Sequence, residues 1–125
     1  MGARATITIY QENQATPLTL YTHWTGGEIS RTLADGLRKA QEAGRLQDSP
    51  YATRIIFDTL TGLEGGTTGF GIIVGDWDDI NYTSPTVTFR HNAEPLVTYG
   101  DVSCSASQWI GLFASSDTSG VTVVV

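Results

Sequence analysis

The sequence predicts an α+β fold, in which an antiparallel sheet of about five strands carries two or three helices on one face. Several short segments alternate apolar and polar residues, which is typical of strands with one buried face. One longer segment repeats its apolar residues every three or four positions, which is typical of an amphipathic helix. Strands and helices occur in runs instead of alternating one for one, and this order favours α+β over a parallel α/β sheet. The 125 residues, 40% of them hydrophobic, are enough to bury the core of one domain, which is assigned to 1–114.

The first two strands are predicted over 6–11 and 17–24. Isoleucines alternate with threonine and tyrosine in the first, and Leu18 and Leu20 alternate with polar residues in the second. The polar residues between the two segments suit a turn, so the strands are expected to form a hairpin with one face on the core.

Two helices follow this hairpin in the sequence. The first is predicted from residue 29 onward, with its apolar residues on one face and Gly44 at the left-handed position that ends a helix. The second is predicted from Ser49 and Pro50, a cap followed by a first-turn proline, as far as Gly62. Its β-branched residues leave a strand over 51–60 as the alternative, and the helix is the preferred interpretation.

The strands and the helix after residue 62 are predicted from shorter sequence patterns. Strands are expected over 70–74, 86–90 and 96–99, where β-branched and aromatic residues stand between turn residues. Ser105 and Gln108 match the capping box that begins a third helix.

The residues from 115 to 125 are treated separately from the domain. Their composition is typical of a flexible linker followed by a run of strand formers, Val-Thr-Val-Val-Val at 121–125. Such a run pairs readily with another strand, so it adds to its own sheet or crosses to a second subunit. A homo-oligomer is therefore expected.

Composition and charge exclude several classes of function. The net charge is −6, and the residues from 70 onward hold one arginine against six carboxylates, which disfavours duplex nucleic acid as a partner. No apolar run is long enough to span a bilayer, and the first residues lack the pattern of a signal peptide. The single cysteine, Cys104, suits a reducing compartment and is expected to be an unreactive thiol. We therefore expect a cytoplasmic protein with no membrane partner.

The candidate ligand site combines aromatic side chains with a glycine-rich segment. Two aromatic rings and an imidazole stand together at the end of the second strand, where they can stack on a planar ligand and hydrogen-bond its edge. The glycines between 62 and 75 free backbone amides that can approach a ligand, and Arg54 is the basic candidate for a phosphate. Structural roles are the alternatives: a local hydrogen-bond network for His23, a close strand contact for the glycines, and a surface ion pair for Arg54. The predicted ligand-binding residues are Tyr21, His23, Trp24, Arg54, Thr67, Thr68 and Trp77.

The sequence lends little support to catalysis. The segment 23–25 matches one half of the paired H-x-T signature of two-histidine phosphoesterases, but the residues after His91 do not supply the second half. The histidines, aspartates and Cys104 lack the spacing of a zinc site. We therefore assign no catalytic residue, metal or cofactor, and keep a phosphoesterase that uses His23 as an alternative.

Four segments resemble a group of short phage and prophage proteins. The segments are MGARATI at 1–7, LYTHW at 20–24, YATRIIF at 51–57 and TTGFGI at 67–72. The family pattern has an M-G-x-R-A-x-I start, a Y-x-H-W element and a later T-G-[FY]-G-I segment. The resemblance extends more loosely as far as residue 90, and its most specific part is the His-Trp element. It implies an accessory phage protein that acts in the cytoplasm of an infected bacterium.

Accessory phage proteins of this kind commonly act by occupancy, which needs a binding pocket and no catalytic group. The leading hypothesis is therefore a counter-defence protein that sequesters a small nucleotide-derived ligand without turnover. The alternative from another class is a protein–protein inhibitor that binds a host enzyme through its acidic C-terminal half.

Overall fold

A computed structural model describes residues 2–62 and 68–115. Within these residues the chain forms a six-stranded mixed sheet and three α-helices. The helices are α1 (Ile29–Glu42), α2 (Ser49–Thr61) and α3 (Ala106–Phe113), and the strands are β1 (Ala5–Tyr10), β2 (Leu18–Thr22), β3 (Phe70–Val74), β4 (Thr86–Arg90), β5 (Ala93–Tyr99) and β6 (Val102–Ser105). The predicted α+β class is confirmed.

The sheet order is β3-β2-β1-β4-β5-β6. β1 pairs antiparallel with β2 and parallel with β4, and the other neighbouring strands pair antiparallel. The parallel pair exists because β3 and β4 are not joined by a hairpin. Residues 75–85 instead carry the chain past β2 and β1 before it re-enters the sheet. The sheet is therefore mixed, whereas the sequence predicted antiparallel pairing throughout.

The predicted elements agree with the structure except near their ends. Residues 51–60 belong to α2 and not to a strand. Both hydrogen bonds of the predicted capping box are present: Gln108 N donates to Ser105 Oγ, and Ser105 N donates to Gln108 Oε1. β6 was not predicted, because its Val-Ser-Cys-Ser sequence has weak strand character. The predicted linker and strand formers beyond residue 115 lie outside the described residues.

The core lies between the helices and one face of the sheet. Alternate residues of β1, among them Ile7 and Ile9, are fully buried there together with Leu20. They pack against the predicted stripe of α1, including Leu33 and Leu37, and against the apolar residues of α2. Trp109 brings α3 into the same core, and its indole Nε1 donates a hydrogen bond to Ser30 O at 3.1 Å.

The crossover, residues 75–85, passes over the face of the sheet opposite the helices. At its start Gly75 O accepts a hydrogen bond from the Thr19 hydroxyl, and further along Asn81 N donates to Arg4 O at 2.8 Å. Thr6 and Thr19 point to this face and are nevertheless buried. The crossover therefore covers the β2 side of this face and brings its own aromatic and acidic residues to it. No helix among the described residues is long and apolar enough to cross a membrane.

Candidate functional site

Four ring side chains meet where β2 ends, on the face covered by the crossover. We call Tyr21, His23, Trp24 and Trp77 the aromatic cluster. The Tyr21 ring lies 5.9 Å from the Trp77 ring and 6.2 Å from the His23 ring, measured between centroids. The His23 ring meets Trp24 edge-on, with 4.2 Å between centroids. The structure thus brings together four of the residues that the sequence singled out.

Close backbone contacts hold the cluster in place. His23 N donates a hydrogen bond to Gly69 O at 2.8 Å, which extends the β2–β3 pairing by one residue. Gly69 has φ +94°, and a Cβ there would lie 3.0 Å from Trp24 Cδ1. A Cβ at Gly2 would lie only 2.4 Å from His23 O. Glycine is therefore needed at both positions, because a side chain would push against the cluster.

Two of the four rings remain largely open to solvent. Trp24 is 51% exposed and Trp77 is 43% exposed, while Tyr21 and His23 are half-buried behind them. Tryptophan normally buries most of its surface, so each of these two exposed indoles offers an apolar face that can hold a ligand or a partner. Tyr82, also exposed, lies beside Gly26, two residues after Trp24.

The polar atoms of the cluster are in contact with one another. The Tyr21 hydroxyl lies 2.9 Å from His23 Nδ1, within hydrogen-bond distance. Burial raises the pKa of Tyr21 above its ordinary value, with a smaller opposing effect from the Arg4 guanidinium and a smaller raising effect from the Asp79 carboxylate. The phenol is therefore neutral at physiological pH and keeps its proton for hydrogen bonding.

Arg4 is the basic residue that the described part of the chain brings to this site, and it was not predicted from the sequence. Its Nη2 lies 3.3 Å from Asp79 Oδ1, and its Nε donates to Asp79 O. Arg4 stands two residues before Thr6, which is paired with Tyr21 in the sheet. The alternation of β1 therefore places Arg4 on the face of the cluster, and this period-two pattern was the signal that could have found it.

Three carboxylates lie close to Trp77 in the crossover. Asp76, Asp78 and Asp79 flank Trp77 and are all exposed. Only Asp79 contacts Arg4 among these three. Three carboxylates against one arginine leave a net negative charge beside Trp77, which disfavours ligands with several negative charges there.

Arg54 does not join the aromatic cluster. Its side chain is 73% exposed on α2 and forms an ion pair with Asp58 at 3.2 Å. The neighbouring Thr53 accepts a hydrogen bond from Gln11, just beyond the end of β1, whereas Tyr21 is paired near the start of β1. The two sites thus lie toward opposite ends of a strand about 17 Å long. The helical period of α2 turns Arg54 to solvent.

The structure describes one of the two predicted threonines and separates the two histidines. Thr68 is exposed beside Gly69, and Thr67 lies outside the described residues. His91 lies near the far end of β1, where its Nδ1 is 3.0 Å from Glu12 Oε2. His23 and His91 therefore do not form the pair that a two-histidine phosphoesterase requires. Within 2–62 and 68–115, no three His, Cys, Asp or Glu side chains converge in a way that could hold a metal ion.

Cys104 lies on β6, away from the aromatic cluster. Its side chain is half-buried, and burial raises the pKa of its thiol. A raised thiol pKa lowers the fraction of the nucleophilic thiolate.

Comparisons with protein-family models, with curated proteins and with solved structures find no match to this chain. The resemblance to phage and prophage proteins therefore stays a prediction that rests on its four sequence segments.

Proposed function

We propose that this protein is a non-catalytic binding protein that holds a planar, nucleotide-derived ligand on the aromatic cluster. The observation that carries the proposal is the pair of exposed indoles, Trp24 and Trp77, on either side of the half-buried Tyr21 and His23. Aromatic side chains that expose their faces can stack on a base, and such stacking contributes about 1–3 kcal/mol per base.

The polar atoms beside the indoles suit recognition better than turnover. The Tyr21 hydroxyl and the His23 ring are hydrogen-bonded to each other and can exchange that contact for the edge of a base. The side-chain partner of His23 is a phenol with a raised pKa, not a serine or a cysteine. A phenol whose pKa is raised holds its proton at physiological pH, so it is poorly activated as a nucleophile. Sequestration without turnover is the function this arrangement supports.

The charges around the cluster narrow the class of ligand. Arg4 supplies one guanidinium, which can accommodate one phosphate if it exchanges its contact with Asp79. The exposed carboxylates of Asp76 and Asp78 oppose further negative charge. We therefore propose nucleosides, nucleoside monophosphates and cyclic mononucleotides as ligands, and expect polyphosphates to bind more weakly.

Titration of tryptophan fluorescence with a panel of these compounds tests the proposal. At least one compound should quench the emission with saturation and raise the unfolding temperature. Trp24→Ala and Trp77→Ala should each weaken its binding by about tenfold or more, because either substitution removes one stacking face. The same compound should be recovered unchanged after long incubation with the protein.

Two arginines provide a matched control for the charge argument. Arg4→Ala should weaken binding of a monophosphate more than binding of its nucleoside. Arg54→Ala should leave both unchanged, because Arg54 lies on a different part of the surface. Equal effects of the two arginine substitutions would contradict the assignment of the site, and failure of the whole panel to bind would contradict the ligand class.

A second function is favoured by the exposed carboxylates themselves. Asp76 and Asp78 beside the exposed Trp77 form an acidic surface with an aromatic centre, which suits a basic patch on a host enzyme. Under this second proposal the protein inhibits that enzyme by covering it. Association should then weaken as salt is raised, and the double substitution Asp76→Asn with Asp78→Asn should slow association.

The biological setting belongs to the same proposal. An accessory role in a phage-infected bacterium, including evasion of host immunity, rests on the resemblance described above. Both functions are compatible with it, since each acts by occupancy.

A further inference from the structure

β1 and β4 are neighbouring parallel strands, and the connections that follow them turn away from each other. β1 leads into β2 on one side of the pair, and β4 leads into β5 on the other side. In open sheets this divergence leaves a crevice beyond the carboxyl ends of the two strands, where ligands commonly bind. The topology therefore predicts a binding site beyond Tyr10 of β1 and Arg90 of β4.

A cavity of about 580 Å³ lies at this position. Small-molecule sites have volumes of about 300–1,000 Å³, so the cavity is large enough for a ligand. It is separate from the aromatic cluster, because Tyr21 is paired with Thr6 near the start of β1, whereas the cavity lies beyond its end. The side chains that line it come from the ends of both strands and from the turn after β1: Tyr10, Gln11, Asn13, Gln14, Thr88 and Phe89.

The turn after β1 is a fixed wall of this cavity. Gln14 N donates to Gln11 O at 3.0 Å and closes the turn. Gln11 Nε2 donates to Thr53 Oγ1 of α2 at 3.1 Å, and Glu12 Oε2 lies 3.0 Å from His91 Nδ1 in the turn between β4 and β5. The wall is thus anchored on two sides, so a ligand does not have to order it on binding.

The charges near the cavity favour a neutral ligand. In the described part of the chain, no charged side chain lines the cavity. Glu12 is paired with His91, and the Arg90 guanidinium donates to Glu94 O at 2.7 and 3.2 Å. A charged ligand would therefore find no free counter-charge here and would lose its hydration without compensation.

Three carboxamides and one hydroxyl determine which neutral ligand fits. Each of these groups, on Gln11, Asn13, Gln14 and Thr88, can both donate and accept a hydrogen bond. Adjacent sugar hydroxyls also donate and accept, so they match several such groups at once, whereas a nucleobase presents one edge. The half-buried Tyr10 ring adds an apolar surface on which the C–H face of a sugar ring can pack.

We propose that the crevice beyond the ends of β1 and β4 is a second binding site, which takes a neutral saccharide. The proposal does not depend on the function proposed for the aromatic cluster, since the two sites share no residue. It adds to this chain a site for a hydroxyl-rich ligand without phosphate.

Two-dimensional ¹H–¹⁵N NMR of the full-length chain tests the proposal with glucose, galactose, mannose, N-acetylglucosamine and their disaccharides. At least one sugar should shift the side-chain amide signals of Gln11, Asn13 and Gln14 with saturation. The corresponding uronic acid, which adds one carboxylate to the same ring, should bind several-fold more weakly.

Two substitutions in the cavity measure the contributions of the amides and of the ring. Gln14→Ala should weaken binding by about three- to tenfold, because it removes one hydrogen bond to the sugar. Tyr10→Ala should weaken it by about tenfold or more, because it removes the packing surface. Should Tyr10→Ala fail to fold, Gln14→Ala decides alone, since the Gln14 side chain is exposed.

Two further substitutions serve as controls. Gln41→Ala removes an exposed carboxamide on α1, away from the cavity, and should leave sugar binding unchanged. Trp24→Ala alters the aromatic cluster and should also leave it unchanged.

Three results would overturn the proposal. The first is the absence of a saturable shift with every neutral sugar. The second is a response of the same amide signals to a nucleoside or to a uronic acid and not to the neutral sugars, which would make the ligand class wrong. The third is sugar binding that Gln14→Ala leaves unchanged or that Trp24→Ala abolishes, which would place the sugar elsewhere.

Discussion

Two helical glycines allow a paired test of how closely α1 packs on α2. A Cβ at Gly36 in α1 would lie 3.0 Å from Ile56 Cα and 3.2 Å from Ile56 Cγ1. Both distances are shorter than ordinary van der Waals contact. A Cβ at Gly111 in α3 would meet nothing within 4 Å. The same change from glycine to alanine therefore meets the backbone of a neighbouring helix at one position and open space at the other.

The expected magnitudes follow from two opposing effects. Alanine in place of glycine favours a helix by about 0.5–1 kcal/mol, and at Gly111 nothing opposes that gain. At Gly36 an overpacking cost of about 1–3 kcal/mol acts against it, because the nearest atom is a backbone carbon that cannot rotate away. We expect Gly36→Ala to lower the free energy of unfolding by about 1 kcal/mol, so that the two variants differ by about 2 kcal/mol.

Urea unfolding followed by circular dichroism measures both variants against the unaltered chain. The slope of the free energy with urea should stay constant, so that a shift of the midpoint reports stability directly. If Gly36→Ala stabilises the protein as much as Gly111→Ala does, the close approach of α1 to α2 is wrong. A loss of stability in Gly111→Ala would contradict the open surroundings of α3.

Three further variants test the core, a helix cap and the aromatic cluster. Leu37→Ala should lower the free energy of unfolding by about 2–5 kcal/mol, while Leu112→Ala, at a position 67% exposed, should change it by less than about 0.5 kcal/mol in the same urea experiment. Ser105→Ala removes one bond of the capping box and should cost about 1 kcal/mol, with a matching loss in thermal unfolding. Tyr21 has a pKa above its ordinary value of 10.0, so the folded chain holds this proton more tightly than the unfolded chain does. The resulting stability is present below pH 10.0 and is lost as the pH rises through the raised pKa. Tyr21→Phe should therefore reduce the loss of stability at alkaline pH. An alkaline unfolding profile that the substitution leaves unchanged would contradict the raised pKa.

The parts of the fold that the sequence predicted depend on neighbouring residues. The stripe of α1, the first turn of α2 and the capping box of α3 each follow from side chains within a few positions of one another. For α2, β-branched residues argued for a strand, but the three-to-four spacing of Ala52, Ile56 and Leu60 buried one face of a helix on the core. Burial of a continuous apolar stripe outweighs the weak intrinsic preference of single residues.

The parts that were missed depend on partners far away in the chain. The parallel pairing of β1 with β4 joins residues separated by more than 70 positions, such as Thr8 and Thr86. It forms because the crossover, residues 75–85, can pass over the sheet, and no local pattern distinguishes this path from a hairpin. β6 is a strand because Cys104 and Val102 find partners in β5, not because of its own composition.

Part of the candidate site could likewise be predicted from neighbouring residues and part could not, as Arg4 and Arg54 show. The aromatic cluster could be anticipated because Tyr21, His23 and Trp24 are neighbours in sequence. Arg54 was predicted from its planar, charged guanidinium and from its place in a segment that resembles phage proteins, although the helical period predicted from Ser49 to Gly62 already turned it away from the buried stripe. Arg4 continues the alternation of β1, whose pairing with β2 places Thr6 opposite Tyr21. A basic residue should therefore be assigned to a site by the face that its own element gives it, and Arg4→Ala against Arg54→Ala is the measurement that decides between these two arginines.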